Sequence, residues 1–385
     1  MLFSFYFLSI SLCIFYLFLI RTYLINWRLM PTPALITGYD NLPFVSIIVA
    51  ARNEEIHISD CLLSIVHQDY PRDKFEIIVV DDHSTDSTVS KIKSLQLHYD
   101  NLKCISIKDR CINKEVISYK REAIKRGIEE SKATIILLTD ADCEVPPAWI
   151  KLMSYPFIHQ DCVFVGGPVV ISCKNQHILT SFQALDMIGM MIITGAGFQS
   201  GNQLLANGAN MAFSKEAFYE TGGYTTFPEK ASGDDIFLLH QLHKAFPGKI
   251  KFIKSLDGTV KTQPVMSFQA LLNQRIRWAS KNRVYQELTI KLSLFLVFLI
   301  SAMTLLSGLF SFLHFNHYFP LFLLLFSAKF LGDYLLQKEA IYFFKESRLL
   351  KYVMMAQIMH TIYIISIGIM GNLNIRYPWK GRMVK

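Results

Sequence analysis

Three hydrophobic patterns follow one another along the chain. The first is an apolar run over residues 2–20 that carries no charge. As a helix it would reach about 28 Å at about 1.5 Å per residue, enough to cross the hydrocarbon layer. It predicts an N-terminal transmembrane anchor over 1–29. No Lys or Arg precedes the run, no small-residue cleavage site ends it, and Arg21 and Arg28 follow it. An anchor is therefore preferred to a cleaved signal peptide. Positive charge after the run predicts an integral membrane protein of the cell membrane whose next domain is cytosolic.

After a Pro-punctuated linker over 30–43, short β-rich runs alternate with helical ones. Strands are predicted over 45–50, 75–80, 103–107, 134–138 and 162–165, and helices over 54–68, 86–97 and 114–131. This alternation predicts an α/β domain over 44–262, a doubly wound, mostly parallel sheet with ligands at the carboxyl ends of its strands. The apolar stretch 187–198 is too short to span, which favours a core helix over a surface against lipid.

Apolar runs return at 292–313, 318–336 and 352–371, predicting C-terminal transmembrane helices over 290–372 and a basic tail over 373–385. The i,i+4 spacing of Lys329 and Asp333 places them on one helix face, as a structural ion pair in preference to a transport site. Between sheet and spans, 263–285 sets Phe268, Leu271, Leu272 and Ile276 around polar residues and predicts an amphipathic helix at the bilayer surface. Charge then creates a conflict. Lys338, Lys345, Arg348 and Lys351 favour the cytosol, as do Arg376, Lys380, Arg382 and Lys385, yet a single crossing separates the two groups. Either one C-terminal run is re-entrant or the rule fails for the tail.

Composition narrows the classes. With 51% apolar and 18% charged residues, the 385-residue chain is not disordered. The net charge of +8 lies largely near membrane flanks, where anionic lipid is the economical partner. Nucleic acid is rejected as a substrate, because no zinc-finger spacing exists and the aromatics sit mainly in apolar spans. Seven cysteines without a CxxC pair argue against a disulfide framework or zinc site and read as packing residues.

The first strand lacks a following GxGxxG, which disfavours a dinucleotide cofactor. Acid follows the strands instead: Asp81-Asp82 after the second, Asp140-Ala141-Asp142 after the fourth. Carboxylates crowded on one edge need positive charge among them, and alternate carboxylates beside a diphosphate suit Mg²⁺ or Mn²⁺. Asp86, a lone acid before a helix, reads as a cap.

These residues carry a resemblance. The segment 45–55 (Val-Ser-Ile-Ile-Val-Ala-Ala-Arg-Asn-Glu-Glu), then 80–88 and Thr139-Asp140-Ala141-Asp142, resemble the nucleotide-sugar half of family 2 glycosyltransferases, whose fold is called GT-A. Ser232-Gly233-Asp234-Asp235 resembles their acidic motif, and Gln274-Arg275-Ile276-Arg277-Trp278 their QxxRW motif. Asn207-Gly208-Ala209-Asn210 resembles the loop region before the acids, and Lys120 to Gly127 a GKxxAL-type helix with Tyr119 where the family has Gly.

The resemblance implies inverting transfer of a hexosyl group from a metal-bound nucleotide sugar to a hydroxyl. It implies that Ala50, Arg52, Asn53, Glu54, Asp81 and Asp82 hold the nucleoside, with Lys120 and Asp140 also at the donor. Asp140 and Asp142 would hold Mg²⁺ or Mn²⁺. Asp235 would be the base, with Asp234 as its partner where the family more often has Glu. Arg277 would meet the leaving diphosphate, Gln274 would be a second donor, and Trp278 would stack on a sugar or simply bury. Flanking membrane runs favour a membrane lipid acceptor. A processive polysaccharide synthase is the enzymatic alternative; a non-catalytic membrane scaffold with a retained nucleotide-binding fold is the alternative of another class.

Overall fold

The computed structural model describes residues 2–33, 42–107, 118–173, 177–202, 204–226, 233–279, 287–371, 373, 377–379 and 382–384. Helix α1 (Leu2–Leu29) leads into β1 (Val45–Ala51), α2 (Ile58–Val66), β2 (Phe75–Asp81), α3 (Thr88–Gln96), β3 (Leu102–Ser106), α4 (Tyr119–Glu130) and β4 (Ile135–Asp140). In β1, β2 and β4 all but one residue is buried. Their near-continuous Val, Ile and Leu runs are those of parallel strands covered on both faces. The strand bounds match expectation closely; residues 114–117 of the third expected helix lie outside the described residues.

The second half of the domain contains β5 (Cys143–Glu144), α5 (Trp149–His159), β6 (Phe164–Gly166), β7 (Val169–Ile171), α6 (Ile178–Ser200), β8 (Met211–Ser214) and α7 (Lys215–Glu220). Then follow α8 (Asp234–Ala245), β9 (Ile250–Phe252), β10 (Val260–Thr262) and α9 (Phe268–Ala279). The main sheet runs β3-β2-β1-β4-β8-β6-β9 and is mostly parallel, with β8 antiparallel to both neighbours. Register decides where the acids go: Ala51 pairs with Asp81, and Ala50 with Asp140. The carboxyl ends of β1, β2 and β4 therefore stop at one level. Helix α4 lies on this sheet so closely that a Cβ at Gly127 would sit 2.5 Å from Ile48 Cγ2.

The chain closes with α10 (Leu288–Ser311), α11 (Phe315–Phe343), α12 (Val353–Met370) and the hairpin β11 (Tyr377–Trp379)–β12 (Arg382–Val384). Among the described residues, five helical segments are long and apolar enough to cross a membrane: Ser4–Leu29, α6, α10, α11 and Ser347–Met370. The core reading of 187–198 holds, but within a longer helix. Helix α6 starts at Ile178 because Thr180 and Gln183, which break the apolar pattern, turn inward; the Gln183 amide bonds both backbone groups of Val265.

Helices α1 and α11 run side by side in the same direction, tied by Tyr6 to the His317 carbonyl at one end and by Arg28–Glu339 (2.6 Å) at the other. The carboxyl end of α1 is fastened to the sheet domain. Lys254 donates to the carbonyl of Trp27 at 2.6 Å, a cation at a helix C-terminus, and Trp27 packs on Phe252 of β9.

Helix α12 is held at both of its ends. Its preceding turn, Ser347–Tyr352, packs on α6 and the end of α11. Its last turn lies against α9, where Ile367 clusters with Ile276 and Ala279, and β11 lies beside α9 as well. Both ends of α12 thus abut elements attached to the sheet domain.

The Lys329–Asp333 pair forms at 2.5 Å in the middle of α11, joined by Tyr16 and flanked by His360. The six described cysteines are free, most of them buried.

Candidate active site

The loops after β1 and β2 are stapled together by side chains. Asn53, at φ 51°, accepts from the Thr85 amide and donates its own amide to Ser84 Oγ (3.0 Å). Asp81 Oδ1 accepts from the Ser84 amide. Asp86 accepts from the Thr88 and Glu55 amides, the capping role expected of it. These bonds leave Arg52 and Asp82 facing outward from the strand ends, with Arg52 Nη1 donating to the Asp82 carbonyl at 2.7 Å.

Across the β1–β4 seam, Asp140 meets Lys120 from the first turn of α4 at 2.5 Å. Burial pulls the Lys120 ammonium down, but Asp140 and then Asp235 outweigh it and hold its pKa above the ordinary lysine value. The neighbouring Arg121 reaches Asp234 at 2.6 Å. Burial pushes the Asp234 carboxyl up, with Arg121 opposing.

The acid pair opens α8 because Gly233, at φ 107°, reverses the backbone before it, a conformation suited to glycine. Asp235 Oδ2 accepts from the Gly208 amide (3.2 Å) and Oδ1 from Ile236 (2.9 Å), which fixes the direction of the carboxylate. A Cβ at Gly208 would lie 3.9 Å from both Asp235 Oδ2 and Lys120 Nζ. The loop is held from behind by buried Asn210, which donates to the carbonyls of Pro168 and Gly258 and accepts from Trp149 Nε1.

Helix α9 supplies the other wall. Its buried face carries Leu271, Arg275, Ile276 and Ala279, whereas Phe268 is 68% exposed. The expected helix over 263–285 is thus shorter within the described residues, and its buried stripe includes a cation. Arg275 pairs with Asp186 of α6 at 2.6 Å and lies 4.2 Å from the centroid of Trp278. Trp278 is therefore a partly buried partner of Arg275 as well as a cavity wall.

One cavity of about 820 Å³ collects these groups. Ala50, Arg52, Glu54, Asp82, Lys120, Asp140, Asp142, Asp234, Asp235, Gln274, Arg277 and Trp278 all line it. Asn53 and Asp81 are not among the residues lining it; their side chains make the loop bonds described above. The cavity continues past α9 into the helices, where Asp186, Arg275, Asp333, Gln337, Gln357 and His360 line it. None of these six was assigned a binding role from sequence. The available signal was polar residues inside apolar runs. Arg121 was likewise unassigned, because one basic residue among several on α4 reads as a solvated face.

Comparison with known proteins follows this geometry. Residues 46–222 match the family model described as glycosyl transferase family 2. Residues 135–331, more than half of the chain, match that of glycosyl transferase family group 2. Glycosyltransferase AglE of Haloferax volcanii is 37% identical over 134 residues, covering 35% of this chain and 42% of the relative. A beta-monoglucosyldiacylglycerol synthase of a Nostoc species is 27% identical over 243 residues, 62% of this chain and 49% of the relative. The chain spans about half the length of the curated relatives it matches. In structure it is similar to the mannosyltransferase PcManGT from Pyrobaculum calidifontis, solved with GDP-Man and Mn²⁺. The TM-score is 0.51 at 17% identity, over 94% of this chain and 98% of that one, a likeness of fold. The sheet domain is of the GT-A type, and the chain belongs to the family 2 glycosyltransferases.

Proposed function

We propose that the protein transfers one sugar, with inversion, from a metal-bound nucleoside-diphosphate sugar to the hydroxyl of a membrane lipid at the cytosolic face of the cell membrane. The single observation that carries this reading is the continuity of one cavity from the strand-end carboxylates to the space among α10, α11 and α12. A water-soluble acceptor has no use for the second end. The relative named as a beta-monoglucosyldiacylglycerol synthase supports a lipid acceptor.

Arg52 and Asp82 contact the nucleoside. Asp140 and Asp142 would hold a hard divalent ion: alternate carboxylates at the end of β4, both lining the cavity. Two carboxylates completed by substrate phosphates is the usual Mg²⁺ arrangement. When bound, that ion neutralises the charge developing on the leaving diphosphate. Asp235 takes the proton of the acceptor hydroxyl as its oxygen bonds to the anomeric carbon from the face opposite the diphosphate. The bond from that carbon to the diphosphate oxygen breaks, and the planar guanidinium of Arg277 and the ammonium of Lys120 receive the departing charge. Arg121 holds Asp234, which keeps the first turn of α8 in place.

The same reading gives a topology of three crossings, α1, α10 and α11, with α6, α9 and α12 lying between bundle and sheet domain. Both basic groups then face the cytosol. The test is Asp235→Asn in the full-length protein, supplied with labelled nucleotide sugars, Mn²⁺ and membrane lipid. One sugar appearing on lipid with wild type and not with the variant supports the reading. A ladder of oligomers or an unimpaired variant removes it.

A further inference from the structure

The turn after β4, Asp140-Ala141-Asp142, is tied down by groups that lie behind the cavity wall. Helix α2 holds its backbone. Cys61 Sγ donates to the Asp140 carbonyl at 3.5 Å and accepts from the Cys143 amide. One helical turn on, Ser64 Oγ accepts from the Val145 amide at 3.1 Å. Gln68, just past the helix, donates to the Pro146 carbonyl at 2.7 Å and accepts from the Ile150 amide at 3.0 Å. Residues three apart share a helix face, so one stripe grips the chain on both sides of the turn.

A carboxylate of the turn is held as well. Cys143 Sγ donates to Asp142 Oδ1 at 3.5 Å. Thr262, the partner of Cys143 across the β5–β10 ladder, bonds the same sulfur with its hydroxyl. Hydroxyl, thiol and carboxylate thus form a chain from β10 to Asp142. Cys61 and Cys143 are each 1% exposed, and a thiol so buried stays protonated at neutral pH and acts as a donor. Asp140 and Asp142 line the cavity. With its Oδ1 engaged from behind, the direction of the Asp142 carboxylate is set by the protein. From sequence both cysteines read as packing residues.

We propose that Cys143 is a positioning residue for the divalent ion: through its bond to Asp142 it aims that carboxylate, on a turn that α2 holds in place. The inference rests on the metal reading of Asp140 and Asp142 and deepens it. A packing role alone would make any apolar side chain of similar size equivalent at position 143. A role as donor to Asp142 would not.

The test measures metal binding rather than sugar transfer. Mn²⁺ is titrated into full-length protein in nanodiscs with UDP, GDP, CDP or dTDP present in turn. Bound ion is read by electron paramagnetic resonance after subtraction of the ion held by free nucleotide. Cys143→Ala, and Cys143→Val, which fills much the same space without a donor, are each expected to weaken Mn²⁺ binding by about tenfold, the scale for losing the outer partner of a metal ligand. Cys143→Ser keeps a donor and should recover most of that loss. Cys162→Ala is the control. Cys162 is also buried, but its Sγ donates to the Phe164 carbonyl at 3.0 Å, and its loss should leave Mn²⁺ binding unchanged. Undiminished binding in Cys143→Val, no recovery in Cys143→Ser, or an equal loss in Cys162→Ala would overturn the proposal. Absence of Mn²⁺ binding by wild type with every nucleotide would remove the metal reading itself, and this proposal with it.

Discussion

At the sheet end of the cavity Asp82, Asp140 and Asp142 sit at strand ends and Asp234 and Asp235 open a helix, and cations sit among the acids. At the helical end the ion pairs are closed on themselves and amide groups are left open. Lys120 on Asp140 and Arg121 on Asp234 leave charge arranged for a charged ligand. Arg275 on Asp186 and Lys329 on Asp333 are paired within the helices, with Lys291 and His360 beside them. The difference teaches that one cavity can serve two chemistries when rigid sheet geometry builds one half and helix packing the other.

Several substitutions break or sharpen that contrast. The largest effect is expected for Asp235→Asn, which removes the proposed base but keeps the shape. Turnover should fall roughly a hundred- to ten-thousandfold, the range of general-base contributions, while the melting temperature stays close to wild type. Next is Arg275→Ala, which strands Asp186 beside the apolar bundle. Breaking a buried pair costs about 3–5 kcal/mol, to be read as a lowered denaturation midpoint, whereas a smaller loss would mean that the pair is wet. Gly127→Ala puts a methyl into Ile48 at the α4–β1 contact. Overpacking of about 1–3 kcal/mol is expected in chemical melts, with donor affinity falling as α4 carries Lys120 away from Asp140.

The smallest effect is a pH dependence. Lys120 has a folded pKa above its ordinary value, so its pairing contributes stability below the unfolded pKa and loses it as pH rises through the folded one. Both side chains are about one-third exposed, which limits the contribution to about 1 kcal/mol or less. Alkaline melting curves of wild type and Lys120→Met should converge at high pH; parallel curves would contradict the assignment.

The sheet end was largely legible in the sequence. Strands buried on both faces announce themselves as short Val and Ile runs, and acids at their ends fall on one edge whatever the loops do. Asp82, Asp140, Asp142, Asp235 and Arg277, spread along the chain, do line one cavity. Asn53 and Asp81 tie the neighbouring loops together, a task a polar residue at a strand end serves as readily as binding a ligand. The helical end was illegible for a different reason. Apolar periodicity says that helices pack, but not which of their few polar residues will face each other. Asp186 and Arg275, or Gln337 and Gln357, meet only once α6, α9, α11 and α12 are arranged. The run read as a short core segment is the buried middle of the longer helix α6, and α12, read as a last crossing, packs on α6, α9, α10 and α11.

The most direct test of the central claim, that donor and lipid meet in one cavity, is product analysis from the purified full-length protein in nanodiscs containing dioleoylglycerol, Mn²⁺ and a panel of labelled nucleotide sugars. The account predicts a single-sugar glycolipid whose anomeric configuration is opposite to that of the donor. Label confined to a lipid-free polymer, or a glycolipid with retained configuration, would contradict it.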